Sequence, residues 1–103
     1  MKKYLIIGHN VKAQQPQDLT PEQTQAWVDY FKTLGDRIVD GGNPLAPVRA
    51  TIKGGEVVSL TDDPVGYYMM TAQSLEEACE LVMKSPFANA PGCEVRVYET
   101  VPM

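Results

Sequence analysis

One histidine, His9, stands in a chain of 103 residues, and an imidazole can give and take a proton near neutral pH. It falls at the end of a short apolar run, where a ligand cleft can open beside a strand tip. The competing reading is a strand-end histidine satisfied by backbone or water, and sequence spacing identifies no carboxylate partner for it. A lone histidine without neighbouring ligands is a poor metal site, so no metal is expected. Arg96 and Tyr98 share one face of the last strand, where the planar guanidinium fork suits a carboxylate or phosphate. Surface salt-bridging is the plainer role for Arg96. Tyr67 and Tyr68 project to opposite faces of a strand, so one meets the core and the other meets a cavity or interface. Asp62 and Asp63 precede Pro64 in what reads as an ordinary turn, with a functional pair as the rarer alternative.

Other chemistries lack their signatures. There is no nucleophile elbow, phosphate loop or dinucleotide glycine pattern, so no cofactor is expected. Cys79 and Cys93 are two isolated thiols without CxxC spacing, and reduced structural cysteines are expected. The nine basic residues are scattered over a chain of net charge −4, which argues against nucleic acid as a partner because phosphate neutralisation needs clustered cations. No apolar stretch is long enough for a membrane span, and the apolar run after Lys2 and Lys3 is too short for a signal-peptide core. A soluble, cytoplasmic protein is expected. With 44% hydrophobic and 21% charged residues, the composition is that of a globular domain, and 1–103 reads as a single domain.

The elements that would position these side chains follow from periodicity. Residues 3–9 form the first strand, followed by a polar loop. Thr20, Pro21 and Gln23 make a helix-start signature, a capping box with proline at the first helical position. Trp27, Phe31, Leu34 and Ile38 then recur at helical intervals, while Asp29, Lys32, Asp36 and Asp40 mark the solvated face. Gly41-Gly42 and Asn43-Pro44 are read as the end of that helix. Residues 48–53 and 56–60 are two short strands joined at Gly54-Gly55, whose positive φ angles suit a hairpin. Residues 65–72 form a further strand, Ser74 with Glu77 caps a second helix, and 93–100 is the last strand, with Val95 and Val97 facing one way and Glu94, Arg96 and Tyr98 the other.

This order predicts an α+β, ferredoxin-like βαββαβ fold with an extra hairpin strand: an antiparallel sheet with two helices on one face. Leu5, Ile6 and Ile7, and Tyr67 to Met70, are apolar on both faces of their strands, yet helices on one side cover only one face. A second subunit meeting sheet to sheet is the economical cover, since a twofold axis lets one patch complement itself.

Three segments carry a resemblance: Leu34-Gly35-Asp36-Arg37-Ile38-Val39-Asp40-Gly41-Gly42-Asn43-Pro44-Leu45, the stretch from Gly66-Tyr67-Tyr68 to Ser74-Leu75-Glu76-Glu77-Ala78, and Glu94-Val95-Arg96-Val97-Tyr98-Glu99. Together they make the chain similar to the YCII-related, or DGPF-domain, family along nearly its whole length. The resemblance implies a dimeric α/β-barrel of ferredoxin-like subunits whose biochemistry is largely uncharacterised. Asp62-Asp63-Pro64-Val65 matches the Asp-Gly-Pro-Phe signature in part, with Asp63 in place of glycine. The histidine proposed as catalytic in some members falls where this chain has Gln23 and Gln25, so no activity is carried over on it.

Two functions fit. One is a small-molecule-binding protein or enzyme, with His9 as proton shuttle, Arg96 as anchor for a small anionic ligand, and Tyr67 or Tyr68 in the wall, with Asp62 a further substrate-binding candidate through the partial signature. The other is a non-catalytic dimeric module acting through protein contact, in which His9 and Arg96 are either unconnected or held in structural pairs.

Overall fold

The computed structural model describes residues 1–10, 20–46, 50–58 and 64–103. Its elements are β1 (Lys2–Asn10), α1 (Pro21–Leu34), β2 (Ile38–Pro44), β3 (Thr51–Lys53), β4 (Glu56–Val58), β5 (Pro64–Ala72), α2 (Leu75–Val82) and β6 (Cys93–Glu99). Four strands form one antiparallel sheet in the order β2-β5-β1-β6, the ferredoxin-like order, while β3 and β4 make a separate two-stranded sheet.

Helix α1 starts at the expected capping box. The Gln23 amide donates to Thr20 Oγ1 at 3.1 Å, and the Thr20 amide donates to Gln23 Oε1 at 2.9 Å. Its end differs from the expectation. The helix stops at Leu34, where Gly35 turns the chain at φ 55° and its N–H returns to the Phe31 carbonyl. Glycine is among the poorest helix formers, and a strand partner is waiting on β5. Ile38 therefore packs on the core from a strand paired with Met70 rather than from a longer helix. Asp36 and Asp40 are exposed as expected, but Asp36 lies in a 3₁₀ turn and Asp40 in the edge strand.

Gly41 and Gly42 thus belong to β2, whose pairing with β5 slips twice. Gly42 has φ 67°, and a Cβ there would lie 1.7 Å from the Tyr67 carbonyl oxygen. Only glycine permits that approach. The Gly42 amide also donates to Asp40 Oδ1 at 2.8 Å, which holds the bulge closed.

The hairpin turns at Gly54 and Gly55, with φ 59° and 80°, as its sequence implies. Within the described residues β3 begins at Thr51 and β4 at Glu56 as expected; positions 48, 49, 59 and 60 lie outside the described residues. Helix α2 is capped by Ser74 Oγ, which accepts from the Glu77 amide at 3.2 Å. Glu77 reaches back one residue further than a standard box and accepts from the Gln73 amide at 3.1 Å.

The core is built from Tyr4, Ile6, Tyr68, Met70 and Ala72 of the sheet against Tyr30, Leu34, Ala78 and Val82 of the helices. Trp27, Tyr30, Phe31 and Tyr68 form an aromatic cluster with ring centroids 5.4 to 6.0 Å apart. Within it the Tyr30 and Tyr68 hydroxyls lie 2.8 Å apart, and Tyr30 donates to the Leu81 carbonyl at 3.3 Å. A carbonyl only accepts, so the proton order runs from Tyr68 to Tyr30 to Leu81. Burial, then the Tyr30 hydroxyl, pushes the Tyr68 phenol far above the usual tyrosine range.

Two outcomes follow from these contacts. Gly42→Ala should lower the unfolding free energy by roughly 2–4 kcal/mol in urea titrations. Gly41→Ala, with nothing within 4 Å of the new methyl, should stay within about 0.5 kcal/mol. Because the folded state keeps the Tyr68 proton while the unfolded chain releases it above about pH 10, the contribution of Tyr68 is intact below that pH. It should be lost above it at up to about 1.4 kcal/mol per pH unit. Tyr68→Phe should flatten the alkaline limb of the stability profile; an unchanged limb would refute the assignment.

Candidate functional site

Side chains paired across a ladder share a face, and alternation along each strand assigns the rest. On β1, Tyr4 and Ile6 enter the core, so Leu5 and Ile7 point to the opposite, open face. Ile7 stands opposite Tyr67 on β5 and Arg96 on β6, while Leu5 stands opposite Met69 and Tyr98. His9 stands opposite Glu94 on β6 and Pro64 on β5. The next rung inward, Gly8 with Val95, faces the helices, because Val95 packs against the core. His9 and Glu94 therefore lie on the open face, one rung beyond Arg96 and Tyr67.

The structure thus brings three of the expected residues together, His9, Arg96 and Tyr67, and separates a fourth. Tyr68 lies in the core, hydrogen-bonded to Tyr30, so Tyr67 is the tyrosine of the pair that faces the open side. Asp62 and Asp63 lie outside the described residues. Glu94 is the residue that sequence reasoning missed. Alternation places it on the face of Arg96, but only the register of β6 against β1 sets it beside His9.

His9 is 5% exposed, whereas Arg96 and Glu94 are exposed at the margin of the sheet. Arg96 donates to Glu94 Oε2 at 3.3 Å. Its guanidinium is held above the ordinary arginine range by the Tyr98 hydroxyl first and the Glu94 carboxylate second. Around these groups Leu5, Ile7, Tyr67 and Met69 are half-buried, so the polar cluster borders an apolar floor. Such a face can hold a planar or aliphatic body on the floor, pair its acid group with Arg96, and move a proton at His9.

Two shallow clefts of the single chain are lined mainly by other residues. One, of about 330 Å³, is lined by Leu34, Asp36, Arg37 and Gln73 beside Met1. The other, of about 400 Å³, lies between α2 and β6 and is lined by both cysteines with Val82, Met83 and Val97, and at its edge by Glu94. Neither of these two clefts is lined by His9 or Arg96. Both thiols are free, and burial pushes the Cys93 thiol upward. Among the described residues no group of three or more His, Cys, Asp or Glu is placed to hold a metal ion, and no helix is long and apolar enough to cross a membrane.

The four-stranded sheet with two helices on one side defines an α+β protein of ferredoxin-like class. Among solved structures the chain is similar to 5-chloro-2-hydroxyhydroquinone dehydrochlorinase (TftG) from Burkholderia phenoliruptrix, in complex with 2,5-dihydroxybenzoquinone, with a TM-score of 0.58 and 19% identity over 98% of this chain and 95% of that one. At that identity the likeness concerns the fold. No family model and no curated protein matches the chain.

A protein whose Cys93 thiol is held up by burial should alkylate slowly. At pH 8 iodoacetamide should modify Cys93 several-fold more slowly than a free cysteine, with the rate rising with pH, as read by mass spectrometry on Cys79→Ser protein. A rate equal to that of free cysteine would contradict the burial.

Proposed function

We propose that this chain is a single YCII-like domain, soluble and cytoplasmic, that works as a homodimer with its open sheet faces stacked into an α/β-barrel. Between those faces it binds a small anionic molecule and, where it acts on it, does so as an enzyme. Arg96 takes the anionic group, Tyr67 forms part of the wall, and His9 exchanges the proton with Glu94 as its neighbour; Asp62, outside the described residues, is kept as a substrate-binding candidate through the partial signature alone. The observation that carries this reading is the register that sets His9, Glu94, Arg96 and Tyr67 on one face with an apolar floor between them. A fold like this one holding a small dihydroxybenzoquinone in TftG supports the same use of the scaffold.

A second reading, a non-catalytic dimeric module, is favoured by two observations: Arg96 is already paired with Glu94 at 3.3 Å, and His9 is buried in the single chain.

A thermal-shift screen of metabolite carboxylates, phosphates and hydroxyquinones separates the two. On the binding reading at least one compound raises Tm by a few degrees at concentrations well above its Kd. That shift should vanish in Arg96→Ala or His9→Ala. Absence of any shift, or a shift that survives both substitutions, would favour the second reading.

A further inference from the structure

The hairpin β3–β4 has no ladder to the main sheet, and its two strands pack chiefly against each other. Isolated two-stranded hairpins are marginal in water, and they persist when something packs on them. Here Ile52 and Val57 stand directly opposite one another, yet each is 74% exposed. The chain itself therefore does not seat them. Its radius of gyration is 14.6 Å, against about 13 Å for a compact domain of this length, and one principal extent is only half of the other two, at 39 × 38 × 19 Å. The molecule is a flat body with an arm.

The root of the arm is placed where the candidate site lies. The chain leaves the sheet after Pro44, which pairs with Gly66, and returns at Pro64, which stands opposite His9. The Leu45 amide donates to the Val65 carbonyl at 2.9 Å and pins the two ends of the excursion together.

We propose that this hairpin is an exchanged arm that packs Ile52 and Val57 onto a second copy of the chain, at the His9 end of the paired sheets. The inference rests on the stacked-sheet dimer proposed above. Area argues for the second copy. Four strands at roughly 4.8 Å spacing, with strand lengths of roughly 25 Å, give a face of roughly 500 Å². A stable interface needs about 800 Å² from each partner. The sheet face alone falls short, and a twofold axis adds two arms to it, one from each chain. Reach allows it, because the residues from Leu45 to Gly54 can extend up to about 30 Å and stacked sheets lie about 10 Å apart. Charge allows it as well. Lys53 and Glu56, of opposite charge, stand opposite each other in the hairpin register, and Arg96 and Glu94 pair on the face, so neither surface brings an unbalanced charge to the contact.

The test compares Ile52→Asp/Val57→Asp with Met69→Lys by sedimentation equilibrium, with circular dichroism confirming that each variant is folded. Amide exchange of 51–58 in the wild type is followed above and below the dimer dissociation constant. The expected result is a wild-type dimer, at least tenfold weaker association in the arm variant, and hairpin amides protected only at dimeric concentrations. An arm variant that dimerises like wild type, with hairpin exchange independent of concentration, overturns the arm, and loss of the dimer in Met69→Lys alone would then leave the sheet reading standing. Conversely, a dimer broken by the arm variant and untouched by Met69→Lys removes the stacked-sheet contact, and with it the placement of the arm on paired sheets. A wild type that is monomeric throughout overturns both.

Discussion

A strand that is apolar on both faces cannot be satisfied by a layer on one side, and β1 is such a strand at the centre of this sheet. Tyr4 and Ile6 are fully buried under the helices, while Leu5 and Ile7 on the reverse are only half-buried. The same division runs along β5, with Tyr68 and Met70 inside and Tyr67 and Met69 outside. Antiparallel sheets commonly leave one face to water, but then that face reads polar. Here it is an apolar floor with a polar margin, and the positions of His9, Glu94, Arg96 and Tyr67 follow from that asymmetry.

The edges of the sheet are managed by different means. At one edge β2 is kinked by the Asp40–Gly42 bulge, so its outer hydrogen-bonding groups do not form a straight template for another strand. At the other, β6 is tied back to β1. Glu99 accepts from the Tyr4 hydroxyl at 3.2 Å and pairs with Lys2 at 3.3 Å, and Thr100 donates twice to the Lys3 carbonyl. The β2 edge is thereby discouraged from sideways growth, and the open face is the broad apolar surface of the sheet.

Local chemistry was the legible part of the sequence, and pairing was the illegible part. Thr20 with Gln23, Ser74 with Glu77, and Gly54-Gly55 announce helix starts and a turn through interactions within a few residues, and each is found in place. The end of α1 was misread because Ile38 continues a helical spacing while Gly35 interrupts it. Periodicity sees the apolar residue and is blind to the strand partner that claims it. The same blindness hid Glu94. Its distance from His9 is long in sequence and one rung in the sheet, and a one-residue slip of β6 would have turned it away. Parity told that Tyr67 and Tyr68 separate; only the helices, by choosing a face, told which one went inside.

That rung changes what the Arg96–Glu94 pair means. Both side chains are about half exposed, at 49% and 53%, and their contact is 3.3 Å. An exposed pair of this kind contributes only about 0–1 kcal/mol. On the binding reading, a ligand carboxylate that takes the guanidinium in place of Glu94 therefore gives up little, and gains a bidentate partner if its geometry suits the fork. The displaced Glu94 remains opposite His9, where a carboxylate can orient an imidazole for proton exchange. The pairing in the single chain is thus as compatible with a site at rest as with a structural bridge. What distinguishes them is whether the face is covered, because an open sheet screens both charges with water, while a covered one makes Arg96 a strong anchor in a low-dielectric cavity.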